Sequence, residues 1–334
     1  MNIMIITIVA AAVVFEFING FHDTANAIAT TVYTRALSVG KAIAWAAGLN
    51  FLGALVSENV AKTIANGLIA VDIAEYVVLA ALLAAIAWDL TTWKLSIPSS
   101  SSHALLGGLI GATMAFTALS GGGLLDGVKW LGVLNKIIIP LITSPFLGFI
   151  AAYLLYKLIL VLCARMHRGP ANRLFLRLQV LSAGLMAFSH GTNDSQKTMG
   201  IITLALTAGG MLPASAGVPL WVKILCGAVI AAGTSVGGWR VMKAMGSVTK
   251  LEPPQGFAAE TASAVVIEGM SAFGAPVSTT QVISTAVVGV GSARRLRAVK
   301  WGAAKRMLVA WLVTLPVCAL LGALALVIMK ALCI

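Results

Sequence analysis

The stretch Pro98-Ser99-Ser100-Ser101-Ser102-His103 lies between two apolar segments, and Pro276-Val277-Ser278-Thr279-Thr280-Gln281 repeats its pattern later in the chain. In both stretches a proline precedes hydroxyl residues and an apolar run that contains glycine. This order is typical of a helix with proline in its first turn and Ser or Thr as its cap. Helix starts carry free N–H groups and partial positive charge, so two that face each other inside a membrane would bind one small oxyanion.

The composition predicts a polytopic membrane protein. Hydrophobic residues make up 59% of the 334 and charged residues 10%, and the mean hydropathy is +0.97. A chain this apolar cannot bury its surface in one soluble core. Apolar windows of about 18 to 25 residues are each long enough to cross the bilayer as a helix. We therefore expect an all-α protein in contact with the lipid bilayer.

Ten membrane spans are predicted, five before and five after a short basic segment. The expected spans are 3–30, 39–57, 68–88, 98–117, 131–162, 178–208, 219–238, 257–274, 277–292 and 307–329. This division gives a first transmembrane repeat at 1–162, a basic cytoplasmic linker at 163–177 and a second transmembrane repeat at 178–334.

Matching motifs indicate that the two halves are internal repeats. The first span of each half is expected to be interrupted by a polar cluster, Asn19 to Ala27 in one and Ser189 to Lys197 in the other. Asp194 follows Asp23 by 171 residues, and Pro276 follows Pro98 by 178. Five spans per repeat is an odd number, which places the second repeat upside down, as in many secondary transporters. We expect the broken helices of both repeats to meet at a central site.

The basic residues support this topology. With the amino terminus outside, the predicted inner segments 31–41, 88–97, 163–177, 239–256 and 293–306 hold 16 Lys or Arg, and the outer segments hold 3. Cytoplasmic loops are enriched in Lys and Arg. The bias predicts that both termini lie outside, and it accounts for the net charge of +12 without a nucleic-acid partner. The four cysteines have no metal-ligand spacing, and we expect no cofactor.

Two acidic residues within apolar spans, Asp23 and Asp194, are the first candidates for a functional site. Inserting a charged residue into a membrane helix costs at least about 2.5 kcal/mol, so such residues usually have a role. Asn26 and Asn193 lie beside them. Carboxylate, amide and freed backbone oxygens suit a hard cation such as Na⁺, and a carboxylate alone suits a proton. The competing interpretation is a polar contact that only holds helices together.

The hydroxyl motifs are the second candidate site. Isolated serines in membrane helices often bond to the preceding turn, but four consecutive serines matched by Ser-Thr-Thr favour an anion site. His103 and Gln281 end the two motifs. Each is expected to donate a hydrogen bond to the anion or, alternatively, to the backbone of its motif.

Other polar residues near the motifs have weaker interpretations. Lys197 is expected to pair with Asp194. His22 and His190 occupy different repeat positions, so a shared metal site is not implied. Trp88 and Trp93 flank Asp89 and resemble an interfacial aromatic belt.

Four segments together resemble the inorganic phosphate transporters of the PiT family. They are G-F-H-D-T-A-N-A at 20–27, I-P-S-S-S-S-H at 97–103, G-T-N-D-S-Q-K-T at 191–198 and P-V-S-T-T-Q-V-I-S at 276–284. The resemblance covers nearly the whole chain. It implies a symporter of the cell inner (plasma) membrane that imports phosphate with Na⁺ or H⁺, built as an inverted repeat and assembled as a homodimer.

Carried over by position, the resemblance assigns residues to two roles. Those that would bind the coupling cation, Na⁺ if the protein is sodium-coupled, are Asp23, Asn26, Asn193 and Asp194. Those that would bind phosphate are Ser100, Ser101, Ser102, His103, Ser278, Thr279, Thr280 and Gln281.

Three other functions stay open at the level of the sequence, one of which is a passive anion channel that would show flux without cation coupling. The family also contains sulfate permeases, and sulfate and phosphate are both tetrahedral oxyanions. A membrane-embedded enzyme would instead use His22, Asp23, His190 and Asp194 around a metal ion.

Overall fold

The structure is a computed structural model, and it describes residues 3–70, 72–213, 215–237, 242 and 248–332. Within these ranges the chain is almost entirely helical, as predicted. The helices are α1 Ile3–Tyr33, α2 Val39–Val56, α3 Asn59–Asn66, α4 Glu75–Lys94, α5 Ser101–Leu119, α6 Ile139–Leu162, α7 Arg168–Ala208, α8 Leu220–Val236, α9 Pro253–Ala272, α10 Thr279–Arg294 and α11 Trp301–Ala331. A helical turn at Trp130–Val133 and a π-helical turn at Leu134–Ile138 lead directly into α6.

Six of the described helices are long and apolar enough to cross a membrane. They are α1, α2, α4, α5, α11 and the helix Trp130–Leu162 that includes α6. Their outward faces carry exposed leucine, isoleucine and valine side chains, whereas the polar residues of the motifs are buried. In a membrane protein this distribution is the expected one, because lipid covers the apolar exterior and neighbouring helices cover the polar groups. Part of the predicted inner segment 239–256 lies outside the described residues.

The polar clusters do not interrupt the first span of each half, which corrects the expectation from the sequence. Helix α1 continues through Asn19 to Ala27, and α7 continues through Ser189 to Lys197. Neither cluster contains proline, and the polar side chains bond to other side chains or to carbonyls one turn back, as Thr24 does to Gly20. The helical hydrogen bonds therefore persist, and no backbone carbonyls are freed for a cation within these two clusters.

Helix α7 also begins earlier than predicted. Ten residues of the predicted linker, 168–177, form its first turns, which leaves 163–167 as the connection. Ala171, Phe175 and Gln179 are buried at intervals of four, whereas Arg173 and Arg177 are exposed. The arginines are responsible for the wrong prediction, because they lower the local hydropathy while lying on the solvent side of an amphipathic helix.

A tight turn precedes each hydroxyl motif and reverses the chain between a pair of helices. Ser96 (φ 58°) ends the turn after α4, and Gly274 (φ 70°) does so after α9. In both turns an N–H bonds to a carbonyl five residues back, Ile97 to Thr92 and Ala275 to Met270. These bonds satisfy helix-end carbonyls that would otherwise be unpaired in the membrane. The two turns bring α5 and α10 back toward α1 and α7.

Both hydroxyl-motif helices start after the proline, and both start later than the sequence predicted. The cap of α5 is Ser100, whose Oγ accepts a hydrogen bond from the backbone N–H of His103. The cap of α10 is Ser278, which accepts in the same way from Gln281. Pro98 and Pro276 therefore lie before the caps and not in the first helical turn, because the serine side chains set the helix starts.

Helices of one half pack against helices of the other in matched pairs. Helix α5 packs on α11 and α10 on α6, while α2 packs on α7 and α1 on α8. Glycines allow these contacts: a Cβ on Gly111 would lie 1.9 Å from the carbonyl oxygen of Ala319, and one on Gly289 would lie 2.4 Å from that of Phe149. The halves therefore interlock, and neither forms a separate packing unit.

Candidate functional site

Asp23 lies where the two hydroxyl motifs meet. Ser101 at the start of α5 donates to its Oδ2 at 3.1 Å, and Thr280 at the start of α10 donates to its Oδ1 at 3.3 Å. Nδ1 of His22 lies 2.8 Å from the same Oδ1. The carboxylate is buried. One acidic residue of the first half thus joins hydroxyl groups from both halves.

Asp194 is the corresponding carboxylate of the second half. Thr279 donates to its Oδ2 at 3.0 Å, and Nε2 of His190 lies 3.0 Å from that oxygen. Lys197 forms an ion pair with Oδ1, which confirms the pairing expected from the sequence. Asp23 and Asp194 therefore receive hydrogen bonds from adjacent residues of one helix start, Thr280 and Thr279.

Lys197 connects Asp194 to the first hydroxyl motif. Its Nζ donates to Oγ of Ser102 at 2.5 Å, and Ser102 also lies 3.3 Å from the carbonyl oxygen of Val277. The lysine is fully buried. Its ammonium adds a full positive charge to the partial charge at the start of α5, so this end of the site attracts anions.

The remaining motif residues position the helix starts and close the gap between them. Ser100 and Ser278 cap α5 and α10 with their side chains, so their hydroxyl oxygens already accept a backbone hydrogen bond. Nε2 of Gln281 lies 3.5 Å from Nδ1 of His103. These two motif-ending residues, one from each half, thus lie next to each other.

The side chains of Asn26 and Asn193 are suited to a cation site, because each has an amide oxygen that accepts no hydrogen bond among the described residues. Asn26 donates through its NH₂ group to Thr280 at 2.8 Å, and Asn193 donates to Ser271 at 2.7 Å. In both cases Oδ1 is buried and has no hydrogen-bond partner among the described residues. A buried carbonyl oxygen without a donor is costly unless it meets a cation or water. Such oxygens are the ligands that hard cations prefer.

Three residues have roles that the sequence reasoning missed. Oδ1 of Asn19 lies 2.7 Å from the Ser101 hydroxyl, and Oδ1 of Asn50 lies 3.1 Å from Nδ1 of His190. His190 also belongs with both acids, since one ligand atom each from Asp23, His190 and Asp194 lie within 4.8 Å of one another. Asn19 is part of the first polar cluster, whereas nothing in the sequence around Asn50 indicated its role.

Asp89, which the two tryptophans of the expected aromatic belt flank, is buried. Asp89 is 0% exposed, and Nε1 of the neighbouring Trp88 donates to Thr314 at 3.1 Å inside the helix bundle. The α4 helix continues to Lys94, beyond the predicted end of the span at 88. Asp89 therefore lies within the helical part of the membrane domain.

Comparison with known proteins shows the family of the chain. The model of the phosphate transporter family matches residues 19–322, which include all the motif residues. A probable low-affinity inorganic phosphate transporter of Bacillus subtilis is 44% identical over 330 residues, covering 97% of this chain and 96% of that protein. One of Rhizobium meliloti is 45% identical over 324 residues, with 96% and 95% covered.

A solved structure shares the fold. It is the structure of a sodium-dependent phosphate transporter, and it matches with a TM-score of 0.88 and 25% sequence identity over 99% of this chain and 100% of that one. The family model matches most of the chain, and the chain aligns with almost the whole length of these relatives. The chain belongs to the phosphate transporter family, whose members are transporters and not enzymes.

Proposed function

We propose that this protein imports inorganic phosphate by symport with Na⁺ or H⁺, and that it works by alternating access with the anion bound between two inverted repeats. The observation that carries the proposal is the meeting of two helix starts at one pair of carboxylates. Thr279 and Thr280 of α10 contact Asp194 and Asp23 respectively, and Ser101 of α5 contacts Asp23 as well.

The anion would bind between the starts of α5 and α10. Both starts offer hydroxyl groups and backbone N–H groups, and Lys197 supplies the nearest full positive charge. In the structure the hydroxyls of Ser101, Thr279 and Thr280 donate to carboxylates. A cation that binds the carboxylates would release these hydroxyls to the anion. This competition gives a physical reason for coupling, because cation binding then raises the affinity for phosphate.

The coupling cation would bind at Asp23, Asn26, Asn193 and Asp194. The unpartnered amide oxygens support Na⁺ binding, and the related solved structure belongs to a transporter described as sodium-dependent. The basic partners of the carboxylates, His22, His190 and Lys197, support a proton as the alternative. We further propose that the protein is a homodimer of the plasma membrane with both termini outside.

The experiment is uptake of labelled phosphate into proteoliposomes under an imposed Na⁺ gradient or an imposed proton gradient, with excess sulfate as competitor. Accumulation above the external phosphate concentration under one gradient supports symport and identifies the ion. Flux that only equilibrates phosphate under both gradients would contradict coupling. Loss of phosphate uptake to sulfate would assign the protein to sulfate transport.

A further inference from the structure

Asp89 is a buried acid that the proposed site does not use. It lies on α4, is 0% exposed, and neither of its carboxylate oxygens has a hydrogen-bond partner among the described residues. Every other buried Asp or Glu in the described part of α1, α4, α7 and α9 has at least one side-chain partner. Asp89 therefore differs from the other acids of the membrane domain.

The surroundings of Asp89 connect it to the site. Helix α4 packs against α1, α5 and α11 and contacts α7. His22 and Asp23 of α1 and Asp194 of α7 are ionisable groups close enough to act electrostatically on the Asp89 carboxylate. On α11 the titratable group that faces Asp89 is the thiol of Cys318. Two acids and one basic residue of the central site are thus electrostatically linked to Asp89.

A hydroxyl group one turn further along α4 continues the connection. Oγ1 of Thr92 lies 3.4 Å from Nε2 of His22 and 2.7 Å from Oγ of Ser99, the first serine of the hydroxyl motif. It also donates to the backbone carbonyl of Asp89 at 3.2 Å. Polar side chains therefore lead from the Asp89 turn to both His22 and the start of α5.

An ionised carboxylate in such a position is unfavourable. Moving a charge out of water costs several kcal/mol, as an order of magnitude, and here no donor among the described residues offsets that cost. A carboxyl group that holds a proton is neutral and avoids most of the penalty. Phosphate bound between the helix starts would add negative charge near Asp89, so a loaded site suits a neutral, protonated carboxyl group and not a further unpaired anion.

We propose that Asp89 is a further residue of the transport reaction, a carboxyl group that holds a proton while the central site is loaded and releases it on the inner side after phosphate has left. This inference rests on the proposed function. The Asp89 carboxylate takes this proton from the outer solution. The proton leaves as H⁺ to the inner solution and the carboxylate remains, so one proton is imported with each phosphate.

The test compares wild type, Asp89→Asn and Asp89→Glu in proteoliposomes with two assays. One is accumulation of labelled phosphate driven by a proton gradient, and the other is exchange of labelled for unlabelled phosphate at equal pH. Asp89→Asn should lower gradient-driven accumulation about tenfold or more and leave exchange within about twofold of wild type, because exchange needs no net proton release. Asp89→Glu should restore accumulation. Asp126→Asn, which changes an exposed acid in the loop after α5, is the matched control and should behave as wild type.

Infrared difference spectroscopy gives a readout that does not depend on transport. Adding phosphate to the wild-type protein should strengthen the band of a protonated carboxyl group, and Asp89→Glu should shift that band. If Asp89→Asn does not fold, this measurement with Asp89→Glu decides the question, and a band that Asp89→Glu leaves unchanged would overturn the inference.

The possible failures can be told apart. A wild-type protein that shows neither phosphate uptake nor exchange overturns the proposed function and this inference together. A wild-type protein driven by Na⁺ without any effect of the proton gradient overturns the inference alone. Gradient-driven accumulation by Asp89→Asn at the wild-type level does so as well.

Discussion

The ammonium group of Lys197 donates a hydrogen bond to the hydroxyl of Ser102 at 2.5 Å, across the boundary between the two halves. The same ammonium is the counter-ion of Asp194. A single buried charge thus serves both the acidic part of the site and the start of α5. Its two contacts lead to a prediction that separates binding from stability.

Replacing Lys197 by Gln should lower the free energy of unfolding by about 3 kcal/mol, because the buried Asp194 loses its ammonium counter-ion and keeps only the contacts to His190 and Thr279. The double variant Lys197→Gln with Asp194→Asn should recover most of that stability and still bind phosphate about tenfold more weakly, since the positive charge at α5 is missing. Thermal unfolding in detergent and phosphate titration calorimetry measure the two effects. Wild-type affinity in the double variant would contradict a role of Lys197 in anion binding.

Removing one hydroxyl from each helix start should weaken phosphate binding. The double variant Ser101→Ala with Thr280→Ala should raise the half-saturating phosphate concentration about tenfold, because two hydrogen-bond donors to the anion are lost. Initial uptake rates over a range of phosphate concentrations measure this change. Ser235→Ala, which removes an exposed hydroxyl on α8 bonded to its own helix, is the control. Unchanged half-saturation in the double variant would argue against a site between the two starts.

Neutralising Asp23 should affect cation dependence more than folding. In Asp23→Asn the amide oxygen can still accept a hydrogen bond from one of the hydroxyls of Ser101 and Thr280, and the NH₂ group can donate to the other, but the negative charge that holds the cation is gone. We expect phosphate uptake at low cation concentration to fall by about tenfold or more. Uptake as a function of Na⁺ concentration and of pH, together with the melting temperature, tests this. Wild-type cation dependence in a folded variant would exclude the role.

The glycine contacts between halves should be intolerant of a single methyl group. Gly111→Ala places a Cβ against the carbonyl of Ala319 and should cost about 1 to 3 kcal/mol or more, since backbone has to move. Gly48→Ala, in α2, meets no atom within 4 Å and should be neutral or slightly stabilising because alanine favours helix. Melting temperatures of both variants in detergent compare them. Equal stability would mean that α5 and α11 are not closely packed.

Much of the fold could be predicted from the sequence because membrane helices depend on local composition. Hydropathy indicated the apolar spans, and the spacing of Asp23 from Asp194 and of Pro98 from Pro276 indicated the repeats. The failures came from charged or polar residues inside helices. The arginines after Arg168 suggested a linker, and the polar clusters suggested breaks, yet helix packing outweighed these local signals.

The residue types of the candidate site could also be predicted, but their partners could not. The motifs predicted that Asp23, Asp194, Ser101 and Thr280 belong to one site, and the structure brings them together. Which hydroxyl contacts which carboxylate depends on how α5 and α10 are positioned by tertiary packing, and the sequence contains no direct signal for this. The burial of Asp89 is a similar case, because its tryptophan neighbours are equally typical of a membrane surface.

The interlocked packing of the two halves also bears on how the protein is made. During synthesis α2 and α5 enter the membrane long before their partners α7 and α11 exist, and the contact surface of α5 is completed only when residues 301–331 have been translated. Until then the buried hydroxyls and acids of the first half lack the side chains that satisfy them. The newly inserted amino-terminal half is therefore an unfinished structure, and its polar interior is completed only when the last helix packs against it.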